Sequence, residues 1–221
     1  MNHIEIYHAV KKDILTLKLR PGQLISENET AKQYNVSRTP VKAAFTRLES
    51  EGFVEVVPQK GTFVTLVDCR HVRDILYMRY VLEVDMAKLS FNSSHYTNLI
   101  DQLSQNIEEQ EFLVKHDTPC PESFYELDTQ FHALLFECLG YKGIWSIIQA
   151  NQVHYPRFRL LDTHMFGRYD ELQLQHSEIL AAIKDKDIKQ LDRCLYHHLH
   201  QYLILLSKSP PSEYRDYMIN W

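Results

Sequence analysis

The sequence of 221 residues has few of the features that mark secreted, membrane-spanning or loop-rich proteins. It contains six glycines, a low content that favours helices over a loop-rich β architecture. No apolar run reaches the roughly 18 residues that a membrane span needs, and the mixed polar first segment is unlike a secretory signal. The four cysteines lie far apart without C-x-x-C spacing. We therefore expect reduced thiols in a cytoplasmic protein with no membrane partner.

The charge is distributed unevenly along the chain. Residues 1–66 carry nine Lys/Arg and seven Asp/Glu, a net of +2, and residues 67–221 carry fifteen and twenty-two, a net of −7. The two parts sum to the −5 of the whole chain. A slightly basic segment joined to an acidic one fits an anion-binding head on a different body.

The first 66 residues are predicted to form three helices followed by a β-hairpin. The helical apolar pattern of residues 5–19 is followed by a Pro-Gly stop. A capping-box pattern that begins at Ser26 predicts a short second helix, and Ser37 can cap a third that runs to about Glu51. Two β-branched runs around a turn that contains Gly61 predict the hairpin.

The stretch "ENETAKQYNVSRTPVKAAFTRLE" has the pattern of a helix-turn-helix. The second helix of such a motif lies in the major groove, where its N-terminal residues reach base edges and phosphates. Arg38 is placed to bind a guanine edge, and the hairpin becomes a wing near the minor groove. The candidate DNA contacts are Ser37, Arg38, Thr39, Lys42, Arg47, Lys60 and Gly61. On spacing alone, a small helical subdomain with a solvated basic face remains the alternative.

From Asp68 the apolar pattern is purely helical. We predict helices at 68–91, 95–115, 121–139, 142–160, 168–184 and 187–207. The fold class is mostly α, an N-terminal winged helix-turn-helix joined to a C-terminal all-α antiparallel helical bundle. The predicted parts are a DNA-binding domain at 1–66, a linker at 67–71, a metal- and effector-binding domain at 72–209 and a short peripheral tail at 210–221.

The stretch "LRPGQLISENETAKQYNVSRTPVKAAFTRLESEGFVEVVPQKGTFV" resembles the winged helix-turn-helix of the GntR family of bacterial transcription regulators. The resemblance covers nearly all of residues 4–66. It implies a homodimer that binds a palindromic operator in double-stranded DNA, since two-fold protein symmetry mirrors operator symmetry.

A second group of residues has the spacing of a metal site. Asp128 and His132 lie one helical turn apart. His176 and His198 each lie eleven residues from residue 187 in the turn between two helices, so an antiparallel hairpin brings them level, and apolar stripes direct both inward. A metal shared with Asp128 and His132 would supply the partner that a buried histidine needs. Two satisfied core histidines and an unrelated Asp–His pair are the alternative.

Residues 72–207 resemble the all-helical FCD effector domain of FadR-type GntR regulators, above all in "YMRYVLEVDMAKLS", "LDTQFHALL" and "QHSEILAAIKDKD". Metal-binding members hold a divalent ion with one Asp and three His, and the matching residues are Asp128, His132, His176 and His198. This donor set suits Zn²⁺, which we expect, and also Ni²⁺, Mn²⁺ or Fe²⁺. The resemblance implies that a small organic acid completes the metal shell through its carboxylate. The candidate counter-charges for the acid are Arg79, Arg157 and Arg159.

These patterns together predict a transcriptional regulator, expected to be a repressor, whose operator affinity is controlled by the small acid. The linker around Val67-Asp68 is the expected transmission point. A regulator in which the metal ion itself is the signal remains the alternative. An open metal site can also activate water, but the sequence has no G-x-S-x-G nucleophile motif and no obvious general base, so we do not expect an enzyme.

Overall fold

The computed structural model describes residues 1–116, 120–208 and 212–221. Its helices are α1 (His3–Leu15), α2 (Glu27–Gln33), α3 (Arg38–Ser50), α4 (Cys69–Ser90), α5 (Tyr96–His116), α6 (Pro121–Glu137), α7 (Lys142–Ala150), α8 (Tyr155–Phe166), α9 (Tyr169–Lys184) and α10 (Ile188–Lys208). The strands are β1 (Leu24–Ile25), β2 (Val54–Val57), β3 (Gly61–Val64), β4 (Val67–Asp68) and β5 (Met218–Ile219), and a 3₁₀ helix occupies Ser212–Tyr217. No helix of the described residues is long and apolar enough to cross a membrane.

The chain divides into two compact units, and the first contains Met1–Arg70, Val153–Leu161 and the C-terminal stretch with β5. In this unit α1 and α2 pack on α3, and a three-stranded antiparallel sheet has the order β1-β3-β2. The predicted three helices and hairpin are confirmed. Strand β1, which pairs Leu24 with Phe63, was missed because two residues are too few to show an alternating pattern.

Helix α1 is shorter than its apolar pattern predicted. It ends at Leu15, and Leu17 adopts a left-handed backbone with φ of 59° that cannot continue a right-handed helix. At the other end Asn2 forms a full capping box: its side chain accepts from the amide of Glu5, whose carboxylate accepts from the amide of Asn2. A capping box therefore sets the start of the helix, and a left-handed residue just beyond Leu15 sets its end.

The second unit holds His71–Gln152 and the chain from Asp162 through α9 and α10. Helix α5 packs against α6 and α9, α9 packs against α10, and α7 packs against α6. The shared apolar core includes Phe131, Leu135, Phe136, Ile179 and Leu195, each fully buried. This arrangement confirms the predicted all-helical character. Five of the six helices predicted from Asp68 onward begin and end within two residues of their predicted limits.

The predicted helix at 142–160 is wrong, because α7 ends at Ala150 and α8 begins at Tyr155. Pro156 explains the break. Proline has no amide hydrogen and clashes with the carbonyl four residues earlier, so it is accepted in the first turn of a helix but not in its interior. The chain therefore starts a new helix at this point, and residues Val153–Leu161 cluster with the first unit.

The predicted linker and tail both contain regular structure. Val67 and Asp68 form β4, which pairs in parallel with Met218 and Ile219 of β5. Met218 is buried, so the tail is not peripheral as expected but contributes to the core of the first unit. The pairing joins residues about 150 positions apart, and such a contact leaves no local pattern in the sequence. The predicted boundaries of the DNA-binding and effector domains stay predictions.

Candidate nucleic-acid interface and metal centre

Helix α3 has one buried and one exposed face. Val41, Ala44, Phe45 and Leu48 are buried in the core of the first unit. The side chains predicted to contact DNA near its start, Ser37, Arg38, Thr39 and Lys42, are all exposed. The apolar stripe therefore anchors the helix and leaves its basic N-terminal face open to a partner.

The first turn of α3 is suited to bind an anion. Ser37 is the N-cap residue with an extended backbone, and its side chain makes no capping hydrogen bond to the turn. The Arg38 guanidinium lies 3.5 Å from Glu27 and its side chain is 68% exposed. An exposed pair of this kind contributes little stability, so Arg38 can exchange it for a base edge or phosphate at small cost.

Arg47 has partners of a different kind. Its Nε donates to Glu51 at 3.0 Å, and its guanidinium carbon lies 3.8 Å from the centre of the Tyr7 ring. Glu51 also accepts from the Tyr7 hydroxyl at 2.5 Å and from Lys11 Nζ at 2.9 Å. Burial alone would raise the pKa of Glu51, but the hydrogen bonds from Tyr7, Lys11 and Arg47 lower this pKa to about 2. The network joins α1 to the end of α3, and a DNA contact of Arg47 stays a prediction.

Lys60 and Gly61 lie exposed at the turn between β2 and β3, where the wing tip was predicted. Gly61 has a φ of 126°, and a side-chain carbon there would come within 2.6 Å of Leu24 Cδ1. The positive φ favours glycine at this turn, whereas the contact with Leu24 can be relieved by a movement of that exposed side chain. The contact of this tip with DNA stays a prediction.

The four predicted metal ligands are brought together in the second unit. Asp128 and His132 come from α6, His176 from α9 and His198 from α10, and all four are buried. One ligand atom of each lies within 4.8 Å of all the others. His132 Nε2 lies 3.1 Å from His198 Nε2, and Asp128 Oδ1 lies 3.6 Å from His176 Nε2 and 4.0 Å from His198 Nε2.

The outward ring nitrogens of the three histidines each contact a side-chain oxygen. The contacts are His132 Nδ1 to Glu83 Oε2 at 2.6 Å, His176 Nδ1 to Gln110 Oε1 at 2.7 Å, and His198 Nδ1 to Gln175 Oε1 at 2.9 Å. An oxygen at this position accepts the Nδ1 proton and fixes the tautomer, so the lone pair of each Nε2 points inward. Gln110 is itself oriented by a bond to Asn106.

This arrangement fits a divalent transition metal. When both histidines carry their proton on Nδ1, the two Nε2 lone pairs face each other at 3.1 Å, and a cation between them removes their repulsion. Two ligands at about 2.1 Å from one ion lie about 3.0 Å apart at a right angle and about 3.4 Å apart in a tetrahedron. The observed separation of the His132 and His198 nitrogens falls in this interval. The donor set, its burial and its outer hydrogen bonds make the four residues a cluster that could hold a metal ion.

Sequence reasoning missed the outer partners of the histidines, and it had proposed Arg79 for a different role. Arg79 Nε donates to Glu83 Oε1 at 2.8 Å, and both side chains are buried. Burial would raise the pKa of Glu83, but the charges of Arg79 and His132 outweigh this effect and lower it. Arg79 therefore acts on His132 through an ionised Glu83. A direct contact of Arg79 with an effector stays a prediction.

The other two predicted effector ligands, Arg157 and Arg159, are buried in α8 and cluster with the first unit, whereas the four candidate metal ligands lie in the second. Arg157 donates to Thr65 O at 2.6 Å and to Val153 O at 3.0 Å. These contacts give Arg157 a place in the DNA-binding unit. Its role and that of Arg159 in effector binding stay predictions.

Comparison with known families supports the class of protein that this fold and these sites define. Residues 3–64 match the family described as bacterial regulatory proteins, gntR family, and residues 74–201 match the FCD domain. The chain belongs to the gntR family of bacterial regulatory proteins. It is a DNA-binding transcriptional regulator and not an enzyme.

Individual relatives agree with this assignment over nearly the whole chain. The HTH-type transcriptional repressor RspR of Escherichia coli (strain K12) is 27% identical over 197 residues, 89% of this chain and 85% of RspR. The Nta operon transcriptional regulator of Aminobacter aminovorans is 38% identical over 192 residues, 83% of this chain and 84% of that protein. The solved structure of E. coli McbR/YncC is similar in fold, with a TM-score of 0.66 at 22% identity, covering 93% of this chain and 97% of that one.

Proposed function

We propose that the protein is a cytoplasmic transcriptional repressor whose affinity for its operator is controlled by a small organic acid bound at a divalent metal. The observation that carries this proposal is the convergence of three imidazole nitrogens and one carboxylate at a buried point of the FCD domain. The similarity to RspR, a protein named as a repressor, supports the sign of the regulation.

On the DNA side, α3 enters the major groove and the wing tip lies over the neighbouring minor groove. Ser37, Arg38, Thr39 and Lys42 supply the contacts of the helix, and Lys60 with Gly61 supplies those of the wing. Arg38 reads a base edge, because it is exposed at the N-terminus of α3 and its contact with Glu27 is an exposed ion pair at 3.5 Å. Arg47 remains a candidate phosphate contact, in addition to its bond with Glu51.

On the metal side, Asp128, His132, His176 and His198 hold the ion, with zinc the first choice and nickel, manganese or iron also suited to the set. In five- or six-coordinate geometry, an ion held by these four residues keeps one or two positions for a further ligand, and a carboxylate oxygen is a suitable donor. Arg79 is the first arginine to test as a counter-charge, since it lies in the same unit as the four ligands. Arg157 and Arg159 are the second and third choices.

Elemental analysis of the purified protein, combined with thermal melts across a panel of sugar acids and dicarboxylates, tests the proposal. The proposal predicts a near-stoichiometric amount of a transition metal in the purified protein. It also predicts that one acid raises the melting temperature and that a chelator abolishes this increase. His176→Ala combined with His198→Ala should remove the metal. A metal content unchanged in that double variant would show that these residues are not the ligands.

The alternative function, in which the ion itself is the signal, rests on the same four residues. It predicts that operator affinity follows free metal concentration with no acid present. Control by the acid predicts a change on adding the acid to protein already loaded with metal. A titration of each component against operator DNA distinguishes the two.

We infer that the regulator acts as a homodimer and that α4 contributes to its interface. Tyr77 and Val81 of this helix are 63% and 46% exposed, and exposed Arg73 and Asp85 flank them. In an antiparallel pair of α4 helices centred on residue 79, Tyr77 lies opposite Val81 of the second copy and Arg73 opposite its Asp85. The exposed stripe of α4 formed by Arg73, Tyr77, Val81 and Asp85 is therefore complementary to the same stripe of a second copy, as a two-fold interface requires.

A charge exchange tests this interface. Arg73→Asp should weaken the dimer, because two acidic side chains then face each other, and Arg73→Asp combined with Asp85→Arg should restore it. Sedimentation velocity over a range of concentrations measures the effect. A dimer of equal strength in all three proteins would show that α4 lies outside the interface.

A further inference from the structure

Val153–Leu161, which include the first half of α8, cluster with the DNA-binding unit. Val153 packs against the core of that unit, and Arg157 is completely buried. The side chain of Arg157 makes four hydrogen bonds: Nε to Val153 O at 3.0 Å, Nη1 to Thr65 O at 2.6 Å, Nη2 to Thr65 Oγ1 at 3.3 Å and Nη2 to His154 Nδ1 at 2.9 Å. Two of these bonds hold Thr65, the residue that directly follows the wing strand β3.

Thr65 connects Arg157 to the end of the recognition helix. Its hydroxyl donates to Gly52 O at 2.8 Å and contacts Phe53 O at 3.2 Å. These two residues follow α3, and the amide of Phe53 donates back to Leu48 O of that helix at 2.9 Å. A short chain of hydrogen bonds therefore runs from the guanidinium of Arg157 to the last turn of α3.

Arg157 also holds the strand that leads out of the wing. His154 Nδ1 contacts both the guanidinium, at 2.9 Å, and the backbone amide of Asp68 in β4, at 3.3 Å. Both groups are donors, so Nδ1 carries no proton and accepts from them. Arg157 and its neighbour His154 thus hold two residues that follow the wing strand β3, Thr65 and Asp68.

Burial of the Arg157 guanidinium costs free energy that an apolar side chain at the same position would not cost. All four acceptors of Arg157 are neutral, and burial lowers its pKa to about 10, so the side chain remains charged at neutral pH. A buried charge held by neutral acceptors is less stable than an apolar side chain of similar size in a packed core. The fan of donors on a guanidinium is, in contrast, well suited to fix several backbone groups in one geometry.

We propose that Arg157 is a positioning residue for operator recognition, which sets the orientation of α3 and the wing through Thr65. Helix α8 continues without a break to Phe166, and its residues from Asp162 cluster with the second unit. A change in the metal- and acid-binding domain that moves α8 therefore reaches the recognition helix through Arg157. This last step rests on the proposed function, whereas the positioning role does not.

The positioning role is tested on full-length protein freed of metal and acid, with a duplex that the wild type selects from a random pool. Thr65→Val removes the hydroxyl with almost no change of shape, and Thr65→Ser keeps it. We expect Thr65→Val and Arg157→Gln each to weaken specific binding at least tenfold, while Thr65→Ser and binding to random duplex stay near wild type. Since Arg157 contacts no phosphate in this account, the salt dependence of binding should be unchanged.

The double variant Arg157→Gln with Thr65→Val gives the readout that a merely structural role would not move. If Arg157 and Thr65 act through one chain of hydrogen bonds, the double variant should bind the selected duplex no more weakly than the weaker-binding single variant. Additive losses, or wild-type affinity in Thr65→Val, would overturn the proposal. If Arg157→Gln fails to fold, the Thr65 pair alone decides.

The coupling is tested separately with zinc and the acid panel added. We expect Thr65→Val to reduce the ratio of operator affinities with and without these ligands, compared with wild type. An unchanged ratio would overturn the transmission step. If wild type itself shows no response, the proposed control by acid and metal fails, and the positioning role still stands on the measurements made without ligand.

Discussion

At the scale of single residues, Glu51 shows how the DNA-binding unit holds its recognition helix. It accepts hydrogen bonds from Tyr7 and Lys11 of α1 and from Arg47 of α3. Its pKa of about 2 lies below the ordinary 4.5, so the folded state favours the ionised carboxylate. The resulting stabilisation is fully present above about pH 4.5 and is lost as the pH falls towards 2.

Glu51→Gln should lower the free energy of unfolding at pH 7 by about 1–2 kcal/mol, a value reduced for solvent screening because the side chain is 31% exposed. The difference from wild type should shrink between pH 4.5 and pH 2. Denaturant unfolding at several pH values measures both effects. Glu49→Gln, an exposed change on the same helix, is the control. An equal loss for both variants would contradict the account.

The outer hydrogen bonds of the metal centre are a second residue-scale test. Gln110 accepts from His176 and holds its ring in position. Gln110→Ala should therefore lower zinc affinity roughly 10- to 100-fold without removing a ligand. Competition with a chromophoric chelator measures the affinity. Gln105→Ala, on the exposed face of the same helix, should leave it unchanged, and equal affinities for both variants would sink the role of Gln110.

At the scale of elements, α3 is predicted to make two kinds of DNA contact, one with a base edge and one with a phosphate. Arg38→Ala should cost about 1–3 kcal/mol of binding free energy and relax the base preference at one position. Lys42→Ala should weaken binding evenly across sequences and reduce the salt slope by about one. Anisotropy titrations over a range of salt concentrations separate the two effects. An Arg38→Ala variant with full specific affinity would exclude it as a base contact.

Elements with strong local signals were predictable, and those that depend on distant partners were not. The helices of the second unit follow an apolar period and end at turn residues, so most limits were correct. The two-residue strands β1, β4 and β5 exist through pairing with remote segments. The break before α8 had a local signal in Pro156 that the apolar pattern obscured.

The candidate metal centre likewise has a part that the sequence predicts and a part that it does not. The inward position of its four candidate ligands was predictable from helical spacing and the hairpin geometry, and their role as ligands stays a prediction. Their partners Glu83 and Gln110 come from α4 and α5, and the sequence does not show how these helices pack. Gln175 is adjacent to His176 but contacts His198 on another helix, so its role also follows only from the packing.

At the scale of the whole molecule, the regulator contains a DNA-binding unit and a helical unit with a buried cluster of one Asp and three His. The gntR family match, residues 3–64, lies within the first unit, and the FCD match, residues 74–201, contains most of the second unit together with Val153–Leu161 of the first. The charge division supports the same arrangement, with a net of +2 in residues 1–66 and −7 in the rest of the chain. The proposed functional link between the units is control of operator affinity from the candidate metal centre.

Operator binding by metal-loaded protein, measured with and without each acid of the panel, tests this claim most directly. The account predicts that one acid weakens specific binding of the wild type at least tenfold and has no effect on the His176→Ala, His198→Ala double variant. Binding to a random duplex should not respond in either protein. An acid that weakens operator binding equally in both proteins would contradict control through this metal centre.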